Sequence, residues 1–284
     1  MQSAPAPPSP IADRFAIAAA AARGLTRWRN AEDRRRSRAA IDAIAGQVRG
    51  RDALALSHLA ESEAREAFIH RPWMAAGIPL TGADELRAAL CGGRGVLASY
   101  CHLGPFAGIG VTIAEHAGDV HQVIGPWLLE PQRGPAERRR RAWLSMFDAA
   151  GVPMIVATGC FPAVLERLRS GAVVVMAFDW PGSTETMFLG RPAMLVSGTA
   201  RLAVEADALV VPVARSFRGL RLRTVAGPPL DPRRHSGWRD LHAALAARHG
   251  RWILERPGAL EDPRRPGAWG ATAGSDRWGA PSGA

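Results

Sequence analysis

The chain has 284 residues, of which 47% are apolar, so it is long enough for one large α/β domain or two small ones. All 36 of its basic residues are arginines, and the absence of lysine excludes Schiff-base catalysis, a pyridoxal phosphate anchor and a phosphate-loop lysine. The net charge of +10 favours anionic partners, but the arginines are scattered and no nucleic-acid-binding motif occurs, so we expect no nucleic acid partner.

The N-terminal third is predicted to be helical. Residues 1–12 are rich in proline, serine and alanine, a composition typical of a disordered tail. Apolar residues then recur at helical spacing as far as Ala76, and a short helix is predicted from Asp84 to Leu90. Residues 262–284 are rich in proline, glycine, arginine and tryptophan and are predicted to be an irregular or disordered tail. Residues 13–261 are therefore expected to form a single domain.

From residue 95 onward, strands and helices are predicted to alternate. The predicted strands are Gly95–Tyr100, Val120–Ile124, Met154–Ala157, Ala172–Phe178 and Leu209–Ser216. The predicted helices are Phe106–Ala117, Ala136–Ala150, Pro162–Arg169, Gly198–Ala206 and Ser236–Leu254, and Leu220–Val225 is expected to add an antiparallel edge strand. This alternation indicates an α/β fold, with a mostly parallel central sheet covered by helices on both faces and a helical N-terminal segment.

His102 lies where the chemistry of such a fold is expected. It follows the apolar strand that ends at Tyr100 and precedes a turn of small residues. In open α/β sheets, ligands and catalytic groups gather at the carboxyl ends of the strands, and an imidazole can act as a general base near neutral pH. The alternative is a hydrogen-bonded histidine in a buried turn.

The other metal-binding and nucleophilic residue types give weaker signals. Cys91, Cys101 and Cys160 are an odd number without metal-type spacing, and we interpret them as buried thiols in a reducing compartment. Cys101 adjoins His102, but neighbours on a strand point to opposite faces, so a Cys–His catalytic pair is not expected.

The cluster His116, Asp119 and His121 matches no metal-binding pattern and is expected at the surface, so no metal site is predicted. No apolar run reaches the roughly 18 residues of a membrane-spanning helix, and no export signal is recognised. We therefore expect a cytoplasmic protein.

Three blocks of sequence carry the strongest motif signal. The first is Cys-His-Leu-Gly-Pro-Phe-Ala at 101–107, the second combines 173–179 with 187–192, and the third combines 197–203 with a Val-Val-Pro-Val run. Together they resemble the lysophospholipid acyltransferase superfamily, and most closely the bacterial lipid A biosynthesis lauroyl/myristoyl acyltransferases. The order and spacing agree from Arg34 to Trp269, which is most of the chain.

The resemblance implies a function. It implies transfer of a fatty acyl group from the thioester of acyl carrier protein or coenzyme A to a hydroxyl or amine of a lipid or glycolipid, without a further cofactor. It implies a place in lipid biosynthesis. The net charge of +10, the basic run Arg138–Arg141 and the lack of a spanning segment predict a protein bound peripherally to the anionic cytoplasmic surface of the inner membrane. By resemblance, the block containing Phe188, Gly190 and Arg191 binds the acceptor, and Arg201 is a candidate second cation; the alternative for each arginine is a solvated surface charge.

One departure from the family concerns the catalytic acid. The family has an acid five residues after the histidine, where this chain has Ala107. If the sheet is parallel, Asp179 stands at the same edge as His102 and is our candidate for the missing acid, ahead of Glu185 in the following loop. The alternative is that Asp179 caps a loop or contacts the substrate. The backbone N–H groups of the turn at Gly104 are the expected site for the oxyanion of the transition state.

The sequence leaves other functions open. Ala107 favours a catalytically impaired homologue that binds acyl chains or lipids, whereas retention of His102 and Asp179 favours an enzyme. A hydrolase that releases the fatty acid to water is a weaker third possibility. The basic run Arg138–Arg141 is interpreted either as a docking site for a carrier protein or an anionic membrane, or as an exposed helix end.

Overall fold

The computed structural model describes residues 10–46, 49–219 and 221–261. The chain begins with three helices, α1 (Pro10–Arg27), α2 (Ala31–Ala45) and α3 (Arg51–Ile69), and α1 packs along α3. Helix α1 starts inside the segment expected to be a tail, and residues 1–9 and 262–284 of the two predicted tails lie outside the described residues. None of the described helices is long and apolar enough to cross a membrane.

The predicted α/β architecture is confirmed. A seven-stranded sheet contains β1 (Leu80–Thr81), β2 (Val96–Tyr100), β3 (Val120–Ile124), β4 (Met154–Val156), β5 (Val173–Ala177), β8 (Leu209–Arg218) and β9 (Arg221–Ala226). Their order is β1-β9-β8-β2-β5-β3-β4, and every neighbouring pair is parallel except β8 and β9. β2 and the first four residues of β5 are fully buried, as expected for strands covered on both faces.

Two apolar layers cover the sheet. The described helices that contribute to them are α4 (Ala83–Cys91), α5 (Ile109–Ala114), α6 (Gly134–Ala149), α7 (Phe161–Arg169), α8 (Gly198–Ala206) and α9 (Trp238–Glu255). Helices α4, α5 and α6 pack on one face, and α7, α8 and α9 pack on the other. Alternate residues of each central strand belong to the two layers, because successive side chains on a strand point to opposite faces.

The register of the two central strands, β2 and β5, positions the residues of the candidate site. β2 pairs with β5 in parallel, and Val96 is opposite Val173 while Tyr100 is opposite Ala177. The chain continues beyond both strands in step, with Phe178 N–H donating to the Tyr100 carbonyl at 2.7 Å. Residues two positions beyond each strand end therefore lie side by side.

Three predicted elements need correction. The segment after Asp179, expected to be a loop, forms a separate antiparallel hairpin of β6 (Pro181–Phe188) and β7 (Arg191–Leu195). The helix predicted from Phe106 starts only at Ile109, because Gly104 and Gly108 adopt positive φ angles of 62° and 76° that do not fit a right-handed helix. The predicted antiparallel strand Leu220–Val225 is present as β9, but β1 pairs with its outer side.

Candidate active site

The structure brings His102 and Asp179 into direct contact. His102 Nδ1 lies 2.7 Å from Asp179 Oδ1, and the backbone N–H of His102 donates to Asp179 Oδ2 at 3.0 Å. Both residues are buried, with Asp179 at 0% exposure. One carboxylate thus holds the backbone and the ring of one histidine, and an ionised carboxylate requires the proton on Nδ1.

The second ring nitrogen of His102 is left for a substrate. Nε2 has no hydrogen-bond partner among the residues that the structure describes, and His102 lines a cavity. Phe106 meets the imidazole edge-on at 4.5 Å between ring centroids, and Trp180 meets it at 5.2 Å in the same way. Asp179 therefore fixes the tautomer of the ring, and Phe106 and Trp180 fix its direction. A general base requires both.

The cavity beside His102 is large and mostly apolar. Its volume is about 330 Å³, within the range of small-molecule sites. Phe106, Trp127, Trp143 and Phe147 supply much of its wall from the α5–α6 side. A cavity with this lining fits a hydrocarbon chain, because burial of apolar surface is favourable and few polar groups need partners.

The polar part of the cavity wall comes from other elements. Gln122 lies on β3, with its amide Nε2 donating to the carbonyls of Val123 and Val175. On the opposite side, Ser197 and Gly198 line the cavity where α8 begins. A helix start presents unpaired backbone N–H groups and the positive end of the helix dipole.

The N–H of Gly104, expected to bind the oxyanion, already has a partner in the chain. The N–H of Gly104 donates to the Ala259 carbonyl at 2.7 Å, and Gly104 does not line the cavity. The preceding Leu103 pairs with Leu260 in an isolated antiparallel bridge, and Glu261 N–H donates to the His102 carbonyl at 2.9 Å. The C-terminal segment therefore binds the Gly104 N–H and the His102 carbonyl, which holds the His102 segment in place.

The other residues predicted to bind substrate also lie outside the cavity wall. Phe188 is 1% exposed and packs against Phe178 in the core. Gly190 and the preceding Leu189 form the two-residue turn of the β6–β7 hairpin. Arg191 donates to the Ala43 carbonyl of α2, and the Arg201 guanidinium lies over the rings of Phe161 and Trp238.

Two further expectations, Glu185 as a substitute acid and the basic run of α6 as a docking site, are not supported by the contacts of these residues. Glu185 is exposed on β6, so it cannot replace Asp179 as the partner of His102 in this arrangement. In the basic run, Arg139 pairs with Glu66 and Glu261, while its two following arginines both pair with Glu137. Much of the charge expected to dock a partner is neutralised within the chain.

The cysteines and the histidine cluster depart in part from expectation: Cys91, expected to be buried, is exposed, and His121, expected at the surface, is buried. Cys160 lines the cavity, and burial raises the pKa of its thiol, which disfavours the reactive thiolate. His121 Nε2 lies 2.9 Å from Asp119 Oδ1. Within the described part of the chain, no three side chains that ligate metals come together.

Several residues of the site are absent from the sequence-based prediction. Trp180, Trp127 and Gln122 line the cavity, although only the position of Trp180, directly after Asp179, gives a signal in the sequence. The two others follow or lie within β3, and their approach to His102 depends on which strands are neighbours. The periodic pattern does not specify that order.

The chain has distant sequence similarity to known acyltransferases. No family model matches the chain. The phosphatidylinositol mannoside acyltransferases of two Mycobacterium tuberculosis strains, CDC 1551 / Oshkosh and ATCC 25618 / H37Rv, are each 26% identical over 157 residues. The match covers 53% of this chain and 48% of each relative, so the chain spans about half the length of the curated relatives it matches.

A solved structure gives a looser likeness. The 1-acyl-sn-glycerophosphate acyltransferase PlsC from Thermotoga maritima superposes with a TM-score of 0.42 at 12% identity, over 86% of this chain and 95% of that chain. The sequence comparisons support the resemblance to acyltransferases at the level of the superfamily. Neither relative is named as a lipid A acyltransferase, and that narrower assignment is not confirmed.

Proposed function

We propose that this chain is an acyltransferase that moves a fatty acyl group from an acyl thioester to a hydroxyl group of a lipid, with His102 as the general base. The observation that carries the proposal is the contact of His102 with Asp179 beside an apolar cavity of about 330 Å³. The sequence similarity to phosphatidylinositol mannoside acyltransferases supports it independently.

The reaction needs no covalent intermediate on the protein. The acceptor oxygen attacks the thioester carbonyl while His102 Nε2 takes its proton, which forms a tetrahedral oxyanion. The oxyanion collapses, the carbon–sulfur bond breaks, and the leaving thiolate takes the proton from the imidazolium. The products are the acylated acceptor and a free thiol.

Asp179 has the role that the family gives to the acid missing at Ala107. Its contact with Nδ1 selects the neutral tautomer whose lone pair is on Nε2, and it stabilises the imidazolium that forms during the reaction. Its second oxygen accepts a hydrogen bond from the backbone N–H of His102, which keeps the whole residue from shifting relative to Asp179. The alternative of a catalytically impaired acyl-binding homologue, which Ala107 favoured, loses its main argument because a carboxylate occupies this role.

Other features of the cavity suggest roles for the two substrates. The aromatic lobe around Phe106 and Trp143 would hold the acyl chain. We assign the contact with the oxyanion to the first turn of α8, at Ser197 and Gly198, since these residues line the cavity and the donors at Gly104 are occupied.

The acceptor is proposed to be a glycolipid. The named relatives act on a mannosylated phosphatidylinositol, and the motif resemblance pointed to lipid A precursors; both are lipids that carry sugar hydroxyls. The donor is proposed to be an acyl carrier protein or coenzyme A thioester. The protein would act at the cytoplasmic surface of the inner membrane, where such acceptors lie.

The experiment is release of free thiol from an acyl thioester by the purified chain, with and without a glycolipid acceptor. Thiol release should depend on the acceptor, and His102→Ala should lower it by about 10²–10⁴-fold, the contribution of a positioned base. His70→Ala is the matched control, because His70 is exposed and pairs only with Glu66. Equal activity of His102→Ala and the control would exclude the proposal.

A further inference from the structure

Arg215 is a buried cation that forms no salt bridge within the described residues. It lies on β8 at 0% exposure, and Glu115 attracts its charge only through space. Burial lowers the pKa of Arg215 to about 9, so its guanidinium remains protonated at neutral pH. An apolar side chain would avoid the desolvation of this charge, and the arginine therefore calls for a reason beyond filling the core.

The guanidinium is directed at the wall of the candidate site. Nη1 donates to the Ala107 carbonyl at 2.7 Å, and Nη2 donates to the Gly108 carbonyl at 3.1 Å and to Thr112 Oγ1 at 2.5 Å. Nε donates to Thr224 Oγ1 at 3.0 Å, which ties the head group to β9. The planar guanidinium fits this set of acceptors, and an ammonium group would not.

The same residue contacts the other end of the segment. A Cβ placed on Gly104 would lie 2.3 Å from the Arg215 carbonyl oxygen, so the turn after His102 rests directly on the β8 backbone. Position 215 thus contacts residue 104 through its main-chain carbonyl and residues 107 and 108 through the guanidinium, on either side of Phe106. Phe106 in turn packs edge-on against the imidazole of His102.

We propose that Arg215 is a positioning residue, which holds the 104–108 segment so that Phe106 keeps the His102 imidazole directed at the cavity. The inference rests on the proposed function for its consequence in catalysis. Arg215 itself does not line the cavity, so it acts through the backbone carbonyls and Phe106. Loss of its contacts should therefore reduce turnover more than it weakens binding of the acyl donor.

The first test is a double-mutant cycle on kcat. Arg215→Lys keeps the charge but cannot reach all four acceptors, and it should lower kcat about 10–100-fold, as small misplacements of catalytic groups do, with less than about a threefold change in KM. Because Arg215 acts through Phe106, adding Phe106→Leu should lower kcat little further, whereas adding Leu245→Ala in the opposite layer should have an additive effect. Full kcat in folded Arg215→Lys, or additivity with Phe106→Leu, would overturn the inference.

A second readout does not depend on turnover. Thr112→Val removes one acceptor with little change in shape, and it supports the test if Arg215→Lys fails to fold. In either variant, hydrogen exchange should speed up in residues 104–112 but not in residues 241–253 of α9. Uniform acceleration, or none, would contradict a positioning role. If the wild type turned over no thioester at all, the proposed function would fail while this exchange measurement still decided the inference.

Discussion

At the scale of single residues, the proposed base catalysis depends on the short contact between His102 and Asp179. His102 and Asp179 are separated by 77 positions in the sequence, and parallel pairing of β2 with β5 places them side by side. The sequence predicts Asp179 as the acid beside His102 on the assumption of a parallel sheet, and the structure places the two side chains in contact. The order and register of the strands, on which the distance depends, could not be predicted, because they depend on packing between distant segments.

The acid of the pair gives the first prediction. Asp179→Asn should lower turnover by about 10²-fold or more, because an amide neither fixes the tautomer of His102 nor balances the imidazolium. Glu185→Gln makes the same chemical change on an exposed strand and should leave turnover within about twofold. Steady-state kinetics of both variants test this. Similar effects of the two substitutions would mean that Asp179 has no special role.

Ala107 gives a prediction that the structure sharpens. The residue is 2% exposed, its carbonyl is bound by Arg215, and Asp179 already supports His102. A glutamate at this position should be redundant and crowded, so Ala107→Glu should lower both activity and the free energy of unfolding, the latter by about 1–3 kcal/mol. The measurements are thiol release and denaturant unfolding. A rise in acyl transfer would indicate that the chain lacks a working acid and would favour the impaired homologue.

At the scale of elements, the alternating strands and helices were predictable because each carries a clear hydrophobic pattern. Helix α8 and strand β3 have the predicted bounds. The β6–β7 hairpin was missed, since β6 has few apolar residues and half of it is exposed. The turn from Gly104 to Gly108 was read as a helix start, because periodicity does not show which glycines adopt positive φ angles.

The turn after His102 allows a direct test of this element. Gly104→Ala should lower the free energy of unfolding by about 2 kcal/mol or more, because φ is 62° and the new Cβ would lie 2.3 Å from the Arg215 carbonyl. Gly118→Ala is the control, since no atom lies within 4 Å of a Cβ there, and its effect should stay within about 0.5 kcal/mol. Urea unfolding of both variants measures the difference. Equal stability would show that the turn is not held as described.

At the scale of the whole molecule, the charge of the chain proved less informative than its composition suggested. The net charge of +10 indicated anionic partners, but the structure pairs Arg139, Arg140 and Arg141 with acidic side chains. Sequence spacing shows the density of a basic run and not its distant acidic neighbours. Attraction to an anionic membrane therefore remains a proposal about the surface as a whole.

Buried histidines predict how stability depends on pH. Burial lowers the pKa of His242 and of His249 from 6.5 to about 4, and neither ring nitrogen of His242 has a described partner. The unfolded chain therefore binds more protons below pH 6.5, so stability is full above that pH and falls as the pH drops toward 4. The slope should be up to about 1.4 kcal/mol per pH unit for each histidine.

A substitution isolates one part of that slope. His242→Phe should reduce the loss of stability between pH 6.5 and pH 4 without lowering stability at neutral pH, since the phenyl ring suits the apolar surroundings beside Phe178. Denaturant midpoints measured across this range, with His70→Ala as an exposed control, test the expectation. An unchanged pH dependence in His242→Phe would show that His242 is not buried in its neutral form.

The proposed reaction is direct transfer of an acyl group from a thioester to a lipid hydroxyl, with His102, oriented by Asp179, as the general base. The most direct measurement follows an isotope-labelled acyl thioester incubated with the protein and a glycolipid acceptor, with mass spectrometry of both the lipids and the protein. With the wild type, label is expected in an ester of the glycolipid and none is expected to be bound covalently to the protein. With His102→Ala, no ester is expected. Label that appears only as free fatty acid, or an ester formed equally well by His102→Ala, would contradict it.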